Sequence, residues 1–223
     1  MALGVLRQKK NCVCLRILGD ACEFTAHEMQ SVACIASSFG NGKITATSRG
    51  TLEINGIPSS QEKSAEKAAR SAGLHVDGTG MIVRAVVSCK GTECPMGLFD
   101  VHDLAHYLEQ EFLGLSVPKK FKIGVFGCPN STGKAWGQDA GILPVTNRPD
   151  HFKLSIGGMM GKSPCFGRTV PLEFSRDQLI PAIHILINFY NTHALSGERF
   201  GTMLIRLGDA AFQELEDSLC QII

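Results

Sequence analysis

Val83-Arg-Ala-Val-Val-Ser-Cys-Lys-Gly-Thr-Glu-Cys-Pro-Met-Gly-Leu-Phe-Asp100 and Pro118-Lys-Lys-Phe-Lys-Ile-Gly-Val-Phe-Gly-Cys-Pro-Asn-Ser-Thr-Gly-Lys134 share one plan. In each, an apolar run of strand character ends in a loop rich in glycine and proline, with cysteine where the run stops. Cys89 and Cys94, five positions apart, follow the first run, and Cys128 follows the second. A buried strand is rigid and the turn after it abrupt, so each sulfur is presented at a fixed tip. Soft thiolates delivered in this way suit an iron–sulfur cluster.

Outward from this stretch, the chain alternates strand and helix signals. Residues 12–18 read as a first strand, and Thr25 with Glu28 forms a capping box. Met29, Val32, Ala33 and Ala36 recur at helical spacing as far as Gly40, and Lys43–Ser48 and Thr51–Ile54 read as two strands. Residues 59–74 are polar and helix-prone, a connecting helix or linker. Ile82–Ser88 reads as a buried strand, and Asp100 caps a helix with Leu104, Ala105, Leu108 and Phe112 on one face. Phe121, Ile123 and Val125 alternate, as do Phe152, Leu154 and Ile156, which lead into the glycine-rich Gly157–Gly161 loop. Ser175 to Gln178 opens a further helix, and Phe212, Leu215, Leu219 and Ile222 mark a last one. The pattern predicts an α+β chain: a small module over 1–76, then a mixed α/β domain with helical cover over 77–223.

Bulk properties narrow the function classes. The 223 residues are 44% hydrophobic and 19% charged, so the chain is globular. A net charge of +1 argues against general nucleic-acid binding, and any anion site must be a local cluster of cations. Nine cysteines, an odd number, together with an apolar-then-basic start unlike a secretory leader, predict a reducing, cytoplasmic setting. No apolar run approaches the ~18 residues of a membrane span. Cys12, Cys14, Cys22, Cys34 and Cys220 fall in strands, helices or their ends, where cysteine acts as a small hydrophobe. A fourth ligand beside Cys89, Cys94 and Cys128 is not obvious; it is either absent or Cys165, in Gly161-Lys-Ser-Pro-Cys-Phe-Gly167.

At these residues the chain resembles the siroheme-dependent sulfite and nitrite reductases. Cys89-x4-Cys94-Pro-x-Gly-Leu-x-Asp and Gly127-Cys-Pro-Asn-Ser-Thr132 are similar to that family's two cluster-binding segments. Thr47-Ser-Arg49 through Ile57 resembles its ferredoxin-like half-domain; Gln138-Asp-Ala-Gly141, Gly157 to Lys162 and Gly197-Glu-Arg-Phe200 fit as well. The resemblance implies a 4Fe–4S cluster on Cys89, Cys94 and Cys128, siroheme beside it, and sulfite or nitrite as substrate. Thr132 stands where the family has a bridging cysteine, leaving a three-cysteine cluster, recruitment of Cys165, or no stable cubane as alternatives. It further implies Arg49, Arg84, Lys120 and Lys122 as substrate-side cations. Asn130, Thr132, Lys134, Lys153 and Lys162 are implied at the cofactor. With no flavin or nicotinamide motif, a separate electron donor is expected. One repeat carrying both feature sets implies a homodimer or higher assembly, with the cations of one copy facing the cysteines of another. The alternative is a non-catalytic electron-transfer or tetrapyrrole-binding relative.

Overall fold

The computed structural model describes residues 3–131 and 134–223. The chain divides into two compact units, Met1–Gly80 and Met81–Ile223. In the first, β1 (Val5–Gln8) and β2 (Cys12–Leu18) form a hairpin, followed by α1 (Ala26–Phe39), β3 (Ile44–Ala46) and β4 (Leu52–Pro58). Helix α2 (Glu62–Ser71) and the two-residue β5 (His75–Val76) complete the unit. The strands are antiparallel in the order β1-β2-β4-β3, and β5 takes the Ile17–Leu18 end of β2 beyond the register of β1. Val13, Leu15 and Ile17 alternate along β2 and join Val32, Ile35 and Ala36 of α1 and Ala65 and Ala69 of α2 in one apolar core.

The capping box at Thr25 forms: its hydroxyl accepts from the Glu28 amide at 3.1 Å, and the Glu28 carboxylate accepts from the Thr25 amide at 2.7 Å. The buried stripe of α1 runs through Val32, Ile35 and Ala36 and not along the Met29–Ala33 line, because Ile35 brings the larger apolar surface; Met29 is 43% exposed. The polar stretch after β4 contains α2, which buries only two alanines and keeps its charged face, with Arg70 on Glu66, outward. Residues 77–79 remain tied to this unit through Asp77 N–H to the Arg16 carbonyl, Arg16 to the Gly78 carbonyl and Gly4 N–H to the Thr79 hydroxyl.

In the second unit, β6 (Val87–Ser88), α3 (Val101–Phe112) and β7 (Ile123–Val125) form a parallel crossover, and β8 (Ala140–Val145) extends the parallel set. Strand β9 (Arg148–Ile156) returns antiparallel to β8, and the short β10 (Arg168–Thr169) and β11 (Phe174–Ser175) both pair with β9. Helices α4 (Arg176–His193), α5 (Phe200–Leu207) and α6 (Asp209–Cys220) follow. The result is the expected α+β architecture with a mixed sheet. Phe121, Tyr190 and Phe200 pack together, tying the start of β7 to α4 and α5 with ring centroids 5.3–6.2 Å apart. The strand expected over 82–88 is broken: only Val87 and Ser88 form a ladder, whereas Ile82 and Val83 make single bridges. The cause is local, because the Val86 N–H is taken by the Glu109 carboxylate of α3 at 2.7 Å. Among the described residues no helix is long and apolar enough to cross a membrane.

Candidate functional site

Strands β6 and β7 run parallel, so whatever follows them emerges at one end of the sheet. Cys89 is the residue after β6, and Cys128 lies three residues past the end of β7. Backbone bonds lock the loops together. Gly127 N–H donates to Cys89 Sγ at 3.2 Å, Leu98 N–H donates to the Gly127 carbonyl at 2.8 Å, and Cys94 N–H donates to the Gly91 carbonyl at 2.9 Å. Asp100 then starts α3, its carboxylate accepting from the His102 and Asp103 amides at 3.0 and 3.2 Å. Cys89, Cys94 and Cys128 are all free and half-buried in this knot.

Among the described residues no three His, Cys, Asp or Glu side chains are placed to close on one metal ion. A cubane spreads its thiolates over separate irons, so convergence on a single point is not what it requires. Three free thiols on interlocked loops, one already receiving an amide, form a donor set that fits a cluster. Thr132, the remaining candidate in this loop, lies outside the described residues. Asn130 and Lys134 are exposed in the same loop, beyond Cys128.

The knot depends on close backbone approach. A Cβ on Gly97 would lie 1.9 Å from the Gly91 carbonyl oxygen. Gly97→Ala is therefore expected to lower stability by about 1–3 kcal/mol through overpacking and to loosen the cysteine loops. Urea unfolding checks this; a wild-type midpoint would mean that the Gly91 segment yields freely.

The other end of the same strands carries cations. Arg84 N–H donates to the Phe121 carbonyl at 2.9 Å, which sets Arg84 beside the Lys120–Lys122 strand start. Lys120 is held below the ordinary lysine range by burial and by Arg199, Arg84 and Lys119, with Asp139 opposing. Lys122 donates its backbone N–H to Asp139 Oδ2 at 2.9 Å. Asp139 is fully buried and both its oxygens accept from Arg199 Nη2, at 3.0 and 2.9 Å. Burial pushes the Asp139 carboxyl upward, opposed by Arg199 and the Lys122 amide. The Asp139 carbonyl in turn accepts from Gly157 N–H at 2.9 Å, rooting the glycine-rich loop. Tyr190, its hydroxyl pushed up to about 12 by burial, donates to the Glu198 carbonyl just before Arg199.

The sequence-derived candidates are therefore divided. Arg84 lies near enough to Lys120 to act on its charge, Lys122 follows with its backbone N–H on Asp139, and exposed Lys162 joins Lys120 on the wall of a cavity of about 290 Å³. Lys153 stands exposed on β9 opposite Leu143 and is not in that wall. Cys165 is not brought to the other three cysteines. Its loop leaves β9 at Ile156, which pairs with Ala140 at the start of β8, so Cys165 sits at the cation end, its thiol against the Gly157 carbonyl at 3.4 Å. Burial pushes that thiol upward and Asp139 adds to the effect, disfavouring thiolate. In the first unit, Arg49 occupies the β3–β4 turn, where Thr47 and Thr51 hydroxyls bond at 2.7 Å and Cys22 Sγ meets the Arg49 carbonyl at 3.4 Å. Gly50, at φ +67°, allows that approach, since a Cβ there would lie 2.5 Å from Cys22 Sγ. In the sequence Asp139 and Arg199 stand out only as members of their motifs; a buried pair 60 positions apart leaves no local pattern.

Comparison with known proteins gives a consistent picture. Residues 79–219 match the family model described as the nitrite and sulphite reductase 4Fe-4S domain, and residues 5–72 match the nitrite/sulfite reductase ferredoxin-like half domain. An uncharacterized protein of Methanocaldococcus jannaschii is 39% identical over 128 residues, covering 57% of this chain and 46% of that protein. An assimilatory-type sulfite reductase of Nitratidesulfovibrio vulgaris is 31% identical over 120 residues, 53% of each chain. The matched regions thus span about half the length of these curated relatives. A crystal structure of dissimilatory sulfite reductase I superposes with a TM-score of 0.79 at 14% identity, over 94% of this chain and 69% of that one, a likeness of fold.

Proposed function

The chain belongs to the nitrite and sulphite reductase family, whose members carry a 4Fe–4S cluster and siroheme, and from that premise we propose that it reduces sulfite, or nitrite, with electrons from a separate donor protein. The observation that supports this is the division of β6 and β7 into two chemistries, thiols after one end and cations before the other. When bound, the cluster supplies one-electron relay and siroheme the iron at which a small oxyanion is reduced. The protein's own share is to hold and protonate. Cys89, Cys94 and Cys128 hold the cluster, and the Gly127 N–H on Cys89 Sγ tunes the potential. Arg84 and Lys120 hold the anion, with Lys122 as a further cation. Lys120 Nζ, its proton loosened first by burial and then by neighbouring charge, is the best-poised proton donor of the group.

The two chemistries stand well apart. Cys89 lies five positions after Arg84 and Cys128 six after Lys122, a reach of at most roughly 17–20 Å at ~3.3 Å per residue. That separation supports a site shared between two copies, the cations of one facing the cysteines of its partner. Mixing a Lys120→Met copy with a Cys128→Ser copy tests it. Recovered turnover in the mixture supports the shared site, and inactivity of every mixture sinks it.

The reductase reading is tested on anaerobically purified protein reconstituted with iron, sulfide and siroheme. A chlorin band with a broad cluster shoulder, and sulfite or nitrite consumption with a reduced dye, is the expected result. The Thr132 departure favours one second reading, electron transfer without turnover, whose signature is the shoulder alone. A colourless protein overturns both.

The depressed Lys120 also predicts a pH profile. An ordinary lysine loses its proton near pH 10.4, so a lowered one discharges earlier, and oxyanion capture is lost on the alkaline side below that range. Lys120→Arg should carry capture further into alkali and Lys120→Met should abolish the limb, read as kcat/KM against pH. An alkaline limb identical in Lys120→Met would exclude Lys120 as its source.

A further inference from the structure

Tyr190 of α4 is fully buried and is not among the residues lining the cavity beside Lys120 and Arg199. Its ring packs on Phe121, the residue after Lys120, and on Phe200, the residue after Arg199, with centroids 6.2 and 5.4 Å away. Its hydroxyl donates to the carbonyl of Glu198, the residue before Arg199. The backbone amides of Lys119 and Lys120 approach the same oxygen closely enough to oppose the effect of burial on it. One side chain thus grips the backbone beside Lys120 and, through different atoms, on both sides of Arg199. The grip has a load to bear. The charges that face Lys120 are Arg199, Arg84 and Lys119, all repelling, against Asp139 alone, and Lys162 stands on the same cavity wall. Like charges relax apart unless the backbones that carry them are held. Asp139 fixes the Arg199 guanidinium, but its link to the strand passes through the Lys122 amide, two residues beyond Lys120.

We propose that Tyr190 is a positioning residue for Lys120: its hydroxyl ties the Lys119–Lys120 backbone to the Glu198–Phe200 backbone and so keeps the Lys120 ammonium close to the Arg199 guanidinium. For its catalytic meaning the proposal rests on the reading of Lys120 as proton donor, and it goes further by naming what sets that donor's acidity. Burial and, next, Arg199 hold Lys120 below the ordinary lysine range. With the tie cut, the two cations separate and the loosened junction admits water. Both changes favour the charged ammonium, so loss of the hydroxyl has one sign: Lys120 keeps its proton to higher pH. A phenylalanine would supply the ring contacts equally well, which leaves the hydroxyl as the atom under test.

Reductive carbon-13 methylation of the full chain, followed by NMR across pH, reads the Lys120 midpoint directly, and Lys120→Arg identifies its signal. In Tyr190→Phe that midpoint should rise by at least about half a pH unit, toward the ordinary lysine value near ~10.4. In the reconstituted enzyme the alkaline limb of kcat/KM should move up with it. Phe121→Leu frees the ring from the strand and keeps the hydroxyl; it should raise the midpoint by less, and it carries the test if Tyr190→Phe does not fold. Leu219→Ala lowers stability from the buried face of α6, away from this tie, and should leave the midpoint at the wild-type value. A wild-type midpoint in Tyr190→Phe, or in Phe121→Leu where that variant alone folds, overturns the proposal. An equal rise in Leu219→Ala overturns it too, because any loosening would then suffice. The titration needs neither cofactor nor turnover. A raised midpoint in a chain that consumes neither sulfite nor nitrite therefore refutes the reductase reading and leaves the tie standing, whereas an unmoved midpoint in an active enzyme removes the tie alone.

Discussion

Cys128→Ser protein, reconstituted anaerobically with iron and sulfide, is expected to emerge colourless, with iron and acid-labile sulfide at background. Serine keeps the shape of cysteine, so the loop should still fold; what is lost is a soft, readily ionised sulfur in exchange for a hard hydroxyl that stays protonated. Losing only an outer-shell partner typically costs roughly 10–100-fold in metal affinity, and a direct ligand costs more. Cys89→Ser should behave the same way. The controls are as informative as the variants. Cys14 is buried, its thiol pushed up to about 11 mainly by burial, so it behaves as a small hydrophobe and Cys14→Ser should not change iron content. Cys165→Ser should likewise retain the cluster, because Cys165 stands at the opposite end of the parallel strands. Equal iron loss in Cys165→Ser and Cys128→Ser would contradict that geometry.

Cys165 also shows where the sequence ceases to be legible. Gly161-Lys-Ser-Pro-Cys-Phe-Gly167 has the same glycine, proline and cysteine make-up as the loops after β6 and β7. Its difference is topological: it follows a strand that runs antiparallel to them, and direction is not written in loop composition. Cys89, Cys94 and Cys128 were legible because their signal is local, an apolar run ending at a turn. Helix α3 was legible for a similar reason, its Leu104, Ala105, Leu108 and Phe112 all being buried. Strand β8 was not, because Ala140 to Pro144 are buried without alternation and Gly141 and Pro144 read as breakers. The two-residue strands β10 and β11 exist only because β9 is there to pair with them. The cations fall between these cases. Lys120-Phe-Lys122 was visible as a motif, but nothing local announces that Arg199, nearly eighty positions on, closes the same cluster.

The buried pair behind that cluster predicts the largest loss of stability. Arg199 cannot give up its proton inside the protein, so a neutral Asp139 would strand a buried guanidinium; the carboxylate therefore stays charged at neutral pH, although burial pushes its pKa upward. Asp139→Asn removes that charge while keeping the shape, and the expected cost is about 3–5 kcal/mol, as for other buried pairs broken on one side. Asp139→Leu also orphans the Lys122 N–H and should be at least as severe. The double variant Asp139→Leu with Arg199→Met should recover part of the loss, because it leaves no unpaired charge behind. Urea midpoints of the three variants decide the matter, and additive costs in the double variant would show that the two side chains act independently. An apolar pair could hold part of the junction of β7 and α5 together, yet it would present no charge to the cavity. The fold tolerates the desolvation cost of the pair because Asp139 fastens three segments at once: the start of β7, the Gly157 loop and α5.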